Sequence, residues 1–416
     1  MEIEDINPWW ISAKVQEEYL SLDKRDLFKE IIKYVKEKQI VVLSGLRRTG
    51  KTVTLHHIIQ HLLEKEKKEN ILYFSFDLFD DSIEGVIDKY VEKVKVDLKK
   101  EKIFIFLDEV QKHKNWENEL KVLYDNFQNI KFFISGSSTL FIEKKTKESL
   151  AGRVFSFTMA PLSFEEYLRI KKINYDKNRL SLYEKQLKGH LKHYMQTGGF
   201  PELINQFDIL KVSKYAKEMV IDKIIYIDIP KVFSIEEPAL LESLLSIISN
   251  KPGMLFDYDS VANDLKRNRK TISNYILYLE KAFLIKKLYN YSKNILTNEK
   301  KLKKFYPSST IFSYLFNAPE GNIIENLVIM NLDLKFFSRS GEKEVDFIFV
   351  KNSRILPIEV KYQNTIKDDD IKGLVNFINK NAIKKGVIIT KDLEKNKKVN
   401  GAETKFIPLW KWLLET

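Results

Sequence analysis

Residues Gly45-Leu46-Arg47-Arg48-Thr49-Gly50-Lys51-Thr52 follow the spacing G-x-x-x-x-G-K-[ST], a pattern suited to gripping a chain of phosphates. The glycines permit a tight loop whose backbone amides surround a phosphate, Lys51 neutralises its charge, and Thr52 offers a hydroxyl to magnesium. An ion held that way needs a carboxylate at the end of a buried strand. The apolar run 103–107 ends in Asp108-Glu109, so Asp108 is expected to orient Mg²⁺ and Glu109 to activate the attacking water. A further run, 131–135, continues into Gly136-Ser137-Ser138, making Ser135, Ser137 or Ser138 a candidate γ-phosphate sensor, with a plain strand-ending turn as the alternative. Arg153, in Ala151-Gly152-Arg153, is a candidate arginine finger or sensor, since a planar guanidinium suits phosphoryl oxygens; a surface ion pair is the other reading. Together these residues suit a nucleoside triphosphate with Mg²⁺, and nothing is spaced to read guanine.

A second constellation lies near the C-terminus. Asp346 sits in Glu344-Val345-Asp346-Phe347-Ile348, and the next apolar strand carries Glu359-Val360-Lys361. Residues two apart on a strand share a face, so Glu359 and Lys361 project together beside Asp346. Two such carboxylates suit a divalent metal, Mg²⁺ or Mn²⁺, that polarises a phosphodiester, with Lys361 steadying the developing charge and Glu325 from the preceding helix completing the ligands. A cross-strand salt-bridge set is the plainer alternative.

Positioning the first constellation requires a strand, loop, helix unit. Residues 40–44 form a short β-branched run, and helix-compatible sequence covers 51–67. Similar runs at 71–76, 103–107 and 131–135 alternate with helix-compatible stretches, the pattern of a parallel sheet covered on both faces. This expectation gives a first domain at 1–160. Residues 161–235 are helical and rich in Tyr and Lys, a lid-like extension broken at Gly198-Gly199-Phe200-Pro201. In 236–305, helices at 239–249, 260–267 and 271–283 precede an alternating strand at 284–291, the order of a winged helix-turn-helix. In 306–416, a helix at 323–332 leads into strands at 335–338, 344–350 and 355–362, a helix at 368–379 and a strand at 386–390. Lys395-Asn396-Lys397-Lys398 reads as a solvated basic turn. Trp9 and Trp10 read as a hydrophobic anchor, with stacking on a base or on adenine as the alternative, and His56, His57 and His61 as structural.

Composition narrows the classes. The 416 residues carry 70 Lys+Arg against 58 Asp+Glu, a net charge of +12, and no cysteine, which excludes a disulfide framework, a thiolate zinc site and a thiol nucleophile. With 44% hydrophobic residues, only 14 Gly and 10 Pro, the chain is neither collagen-like nor generally disordered. Its apolar runs are too short to cross a bilayer, and residues 1–10 are acidic rather than signal-like, so a soluble, cytoplasmic protein without a membrane partner is expected. Between Asn263 and Lys304 stand twelve Lys/Arg and three Asp/Glu, concentrating the excess on the winged-helix pattern. This favours DNA contact through Lys266, Arg267, Arg269 and Lys270 at the start of the recognition helix; a solvated face used for protein packing is the alternative.

The phosphate loop, Asp108-Glu109, Ser135-Gly136-Ser137-Ser138, Gly152-Arg153 and Pro161-Leu162-Ser163-Phe164 together resemble the prokaryotic AAA-type ATPases that carry a domain of unknown function called DUF4143, and the similar archaeal ATPase group. The likeness covers most of the chain and implies ATP binding and hydrolysis. The order of elements after Gly321, with Asp346 and Glu359-x-Lys361, resembles the PD-(D/E)xK nuclease superfamily, although no proline precedes Asp346. The resulting expectation is an α/β chain with three parts: an AAA+-like P-loop sheet domain, a central helical winged-helix region and a restriction-endonuclease-like C-terminal domain. It would act on DNA, as a monomer or a homo-oligomer. The alternative functions are a nucleotide-dependent switch that binds DNA or a protein without cutting, and a protein-remodelling ATPase.

Overall fold

The computed structural model describes residues 2–79, 81–136, 150–352, 354–399 and 401–415, so Ser137 and Ser138 lie outside the described residues. The chain divides into two compact units, Met1–Ala160 and Pro161–Thr416.

In the first unit, five wholly parallel strands, β1 (Ile40–Gly45), β2 (Ile71–Ser75), β3 (Ile103–Asp108), β4 (Ile130–Gly136) and β5 (Val154–Met159), lie in the order β2-β3-β4-β1-β5. Every residue of β1 to β4 is buried, as their unbroken apolar character demands of a sheet covered on both faces. Helices α1 (Lys51–Leu63), α2 (Ile83–Val94) and α3 (Trp116–Asn126) connect the strands. Trp9 and Trp10 both donate their indole N–H to the carbonyl of Ile71, at 3.0 and 2.9 Å, and so anchor the N-terminal segment to β2.

The second unit opens with α4 (Phe164–Ile170), started by a capping box between Ser163 and Glu166, and α5 (Glu184–Thr197), stopped by Gly198 at φ 62°. A side chain on Gly198 would meet Ser309 at 2.1 Å, so glycine is required there. Helices α6 (Pro238–Asn250), α7 (Tyr258–Asp264) and α8 (Arg269–Lys281) follow. The strands are β6 (Leu255–Phe256), β7 (Ile285–Asn290), β8 (Lys303–Pro307), β9 (Phe336–Ser340), β10 (Lys343–Lys351), β11 (Arg354–Lys361), β12 (Lys385–Thr390), β13 (Lys395–Val399) and β14 (Ala402–Pro408). They form one nine-stranded sheet, β13-β14-β12-β11-β10-β9-β7-β8-β6, which runs on past residue 305 because β7 pairs in parallel with β9. Helices α9 (Glu320–Asn331), α10 (Lys372–Asn381) and α11 (Leu409–Glu415) pack on it. The basic turn expected at 395–398 is instead the edge strand β13, paired antiparallel with β14; lysines along an edge discourage pairing with another chain.

Candidate functional site

The phosphate loop joins β1 to α1. Gly45 has φ 146°, and a Cβ there would strike the carbonyl oxygen of Met159 at 2.3 Å; Gly50 has φ 95°. Both positions need glycine for different reasons, one for close approach and one for backbone conformation. Leu46 and Thr49 are buried, Thr49 Oγ1 donates to Leu46 O at 2.8 Å, and Arg48 takes a left-handed φ of 62°. Arg47, the loop's remaining residue, is half-buried. The buried Lys51 ammonium folds over the loop, donating to the carbonyls of Gly45 and Leu46 at 3.2 and 3.0 Å.

Parallel pairing of β1, β3 and β4 brings Thr52, Asp108 and Ser135 together. Asp108 Oδ2 accepts from Thr52 Oγ1 at 2.7 Å and from Tyr73 OH at 3.0 Å; Oδ1 accepts from Ser135 Oγ and from the backbone N–H of Glu109 at 3.1 Å. Glu109 itself, at φ 52°, accepts from the side-chain amide of Gln111. Burial, followed by the charge of Asp108, pushes the Tyr73 phenol well above its ordinary range, so it remains a donor. Thr52 and Asp108 are hard oxygen donors in direct contact, the donor set Mg²⁺ prefers.

Three residues here escape a motif search. Tyr73 reaches Asp108 because β2 and β3 pair Ser75 with Asp108. Arg25 braces the loop, donating to Thr49 O at 2.5 Å and Ala160 O at 2.9 Å. His56 hydrogen-bonds Thr52 O at 2.9 Å and stacks on Tyr19 at 3.8 Å; burial lowers its pKa. No local spacing signals any of them.

Within its own chain Arg153 is not brought to this site and takes the surface ion pair that is its other reading. Its backbone carbonyl accepts from Ile40 N, at the opposite end of β1 from the loop. Its guanidinium grips both oxygens of Asp125 at 2.9 and 3.0 Å.

The second constellation gathers around β10 and β11. A β-bulge between Val345 and Ile348 interrupts the β9–β10 register at Asp346, and Asp346 Oδ2 accepts from Val360 N at 2.8 Å. Lys361 Nζ pairs with Glu359 Oε1 at 2.7 Å, while Glu359 Oε2 is buried with no hydrogen-bond partner among the described residues. Glu325 Oε2 accepts from Tyr306 OH at 2.9 Å. The buried Lys304 pairs with Glu344 and is also drawn by the charges of Glu325 and Asp346. Burial, then repulsion by Asp346, pushes both Glu325 and Glu359 up to about 8. Among the described residues no group of three His, Asp or Glu side chains is gathered to hold a metal. The expected ligand set Glu325, Asp346 and Glu359 is thus not gathered as a metal group among the described residues, although the charge of Asp346 acts on both glutamates; Tyr306, the Val360 amide and Lys361 each bond to one of its members.

Lys266, Arg267, Arg269 and Lys270 are exposed around the start of α8. Two are engaged locally, Arg267 with Glu237 at 2.7 Å and Arg269 with Asp259 at 3.1 Å. Other cations of the basic stretch turn inward: Lys286 donates to Ile329 O at 2.8 Å, with burial holding its pKa down to about 8, and Lys287 pairs with Glu280 at 2.7 Å. No helix among the described residues is long and apolar enough to cross a membrane.

Comparison with known proteins gives three family matches: an AAA domain at residues 37–168, a domain of unknown function (DUF8612) at 188–312 and a domain of unknown function (DUF4143) at 320–412. An uncharacterized protein of Methanocaldococcus jannaschii is 30% identical across 97% of this chain and 96% of its own length. An uncharacterized Haemophilus influenzae protein is 26% identical across 94% and 98%. Among solved structures, Aeropyrum pernix ORC1 in complex with DNA shares 13% identity over 70% of this chain and 91% of that one, at a TM-score of 0.32. Caenorhabditis elegans PCH-2 shares 13% over 64% and 71%, at 0.29.

Proposed function

The chain belongs to the family of that full-length Methanocaldococcus relative, with an AAA domain in its N-terminal part and a DUF4143 region in its C-terminal part, and on this premise we propose that it is an ATPase whose nucleotide cycle governs a DNA-binding second unit. One observation carries the proposal: a complete G-x-x-x-x-G-K-T loop whose Thr52 hydroxyl touches the strand-end carboxylate Asp108. Lys51 would sit against the β- and γ-phosphates, and Thr52 with Asp108 would hold Mg²⁺, which supplies charge neutralisation to the phosphates when bound. Ser135 and Tyr73 keep Asp108 oriented. Glu109, steadied by Gln111, accepts the proton of the attacking water. ATP turnover by the whole protein, measured as phosphate release, should fall at least about 100-fold in Lys51→Ala; equal turnover would end the proposal.

The DNA-binding half draws on the α7 and α8 pair followed by the β7 and β8 hairpin, the order of a winged helix, and on the basic stretch. Four parts are proposed for the chain: a P-loop domain at 1–160, a helical lid at 161–235, a winged helix at 236–305 and a nuclease-like fold at 306–416.

A second reading, that the second unit also cuts phosphodiesters, is favoured by the unpartnered Glu359 Oε2 beside Asp346. The carboxylates as they stand form no three-ligand metal group among the described residues. Incubating supercoiled and linear DNA with Mg²⁺ or Mn²⁺, wild type against Glu359→Ala, decides it: intact DNA with both proteins excludes cutting.

A further inference from the structure

A cavity of about 360 Å³ opens in the second unit between the turn of the β9–β10 hairpin, α10 and the segments around β7 and β8. Five cations from five separate stretches of chain line it: Lys293, Lys301, Arg339, Lys343 and Lys380. Among the described residues no carboxylate lines it. Arg339 is held by Glu344 at 3.5 Å and by Gly341 O at 3.2 Å, but Lys293, Lys301 and Lys380 pair with no carboxylate among the described residues. Like charges gathered without compensation repel one another, and the arrangement becomes favourable when a polyanion arrives and its counterions are released.

The cavity is built into the fold. Gly373 lets α10 lie directly on β10, since a Cβ there would overlap the Glu344 carbonyl oxygen at 1.8 Å. Tyr291 and Phe377 meet edge to face at 5.8 Å in its wall, and Ser292, Ser338, Ser340 and Asn376 add neutral hydrogen-bonding groups of the kind that position phosphates.

We propose that this basic cavity seats the phosphodiester backbone of a nucleic-acid strand. A single phosphate brings too little charge to balance the four lysines that remain beside the paired Arg339, and the cations are spread around the mouth by separate stretches of chain, which suits an extended polyanion crossing it. The inference deepens the DNA-binding part of the reading above and moves its main contact away from α8, where Arg267 and Arg269 already have acidic partners.

The test uses the full-length protein, a fluorescein-labelled 20-nucleotide DNA strand and its duplex, and anisotropy from 50 to 300 mM NaCl. EDTA is present and nucleotide absent, so neither ATP turnover nor cleavage enters. The triple variant Lys293→Gln, Lys343→Gln, Lys380→Gln alters only exposed side chains. It should bind at least about tenfold more weakly at 100 mM salt, with a log K against log [salt] slope shallower by about 2 to 3. Wild-type affinity and slope in that variant would overturn the inference, as would an equal loss produced by Lys266→Gln with Lys270→Gln alone. Displacement of the strand by millimolar inorganic pyrophosphate, at matched ionic strength, would replace the strand with a small phosphate anion and also overturn it. If the wild type itself fails to bind either DNA, the broader DNA-binding reading falls with it; the ATPase reading stands apart.

Discussion

The two acidic centres are built from the same ingredients, a carboxylate on a buried strand with a lysine and a hydroxyl nearby, yet they spend their charge differently. Around Asp108 the named contacts are hydroxyls and a backbone amide, from Thr52, Tyr73, Ser135 and Glu109. Neutral donors yield readily to a stronger ligand. Around Asp346 the lysines are already committed, Lys361 to Glu359 and Lys304 to Glu344, and separating a buried ion pair is costly. The first centre is therefore arranged to receive a charged ligand, whereas the second is close to balanced by its own chain.

The largest expected effect breaks the first half of this comparison. Asp108→Asn keeps the shape of the side chain and removes the charge that Mg²⁺ needs, so ATP turnover should fall on the order of 100-fold. Steady-state phosphate release checks this, and near-normal turnover would mean that the hydroxyl-lined carboxylate is no different in kind from the salt-bridged one.

The second centre is tested through pH. An ordinary glutamate loses its proton near 4.5, but Glu325 and Glu359 keep theirs up to about 8. Between those values the folded state binds more protons than the unfolded chain. Stability from these groups is thus fullest below about pH 4.5 and is lost as the pH rises through 8. Thermal melts should show the midpoint falling by roughly 5 °C from pH 5.5 to 8.5. Glu359→Gln removes one of the two groups and its repulsion of the other, so the fall should be less than half as large. An identical pH profile in the variant would place Glu359 outside the coupled cluster.

What was legible in the sequence was whatever is contiguous. The phosphate loop and the strand ending in Asp108 are local patterns, and local patterns carry their own geometry. Tyr73 was not legible, because its contact with Asp108 depends on the register between β2 and β3. In the basic stretch at 263–304 a count of charges exceeds what faces water: Lys286, Lys287 and Lys304 point into contacts with Ile329, Glu280 and Glu344, and only tertiary packing decides which lysines are exposed. Lys343 and Lys380 join the basic cavity from far along the chain, so a window count cannot find them. The expected metal ligands Glu325, Asp346 and Glu359 stand on a helix and two strands that the pattern places, but their bonds to Tyr306, the Val360 amide and Lys361 depend on tertiary packing that no local spacing shows.

A smaller effect sharpens the picture of Asp108. Tyr73→Phe removes one neutral donor of several and leaves the ring to pack near His56, 4.6 Å away. Turnover should drop about fivefold, since a neutral hydrogen bond contributes about 1 kcal/mol. A loss as large as that of Asp108→Asn would make the phenol a partner in the chemistry rather than a support.

The smallest expected effect concerns Arg153. Six residues of β1 at about 3.3 Å each separate its end of the strand from the phosphate loop, roughly 20 Å, and Asp125 holds both arms of the guanidinium. In dilute protein, Arg153→Ala should leave ATP turnover within about twofold of wild type, because an exposed ion pair adds little to the fold. Repeating the measurement at rising protein concentration separates a bystander from a residue that serves another copy. A variant whose activity matches wild type when dilute but lags when concentrated would show Arg153 acting on a neighbour's nucleotide. A tenfold loss already in dilute protein would mean that the guanidinium leaves Asp125 and crosses the length of the sheet, and the self-contained phosphate site described for the first unit would have to be redrawn.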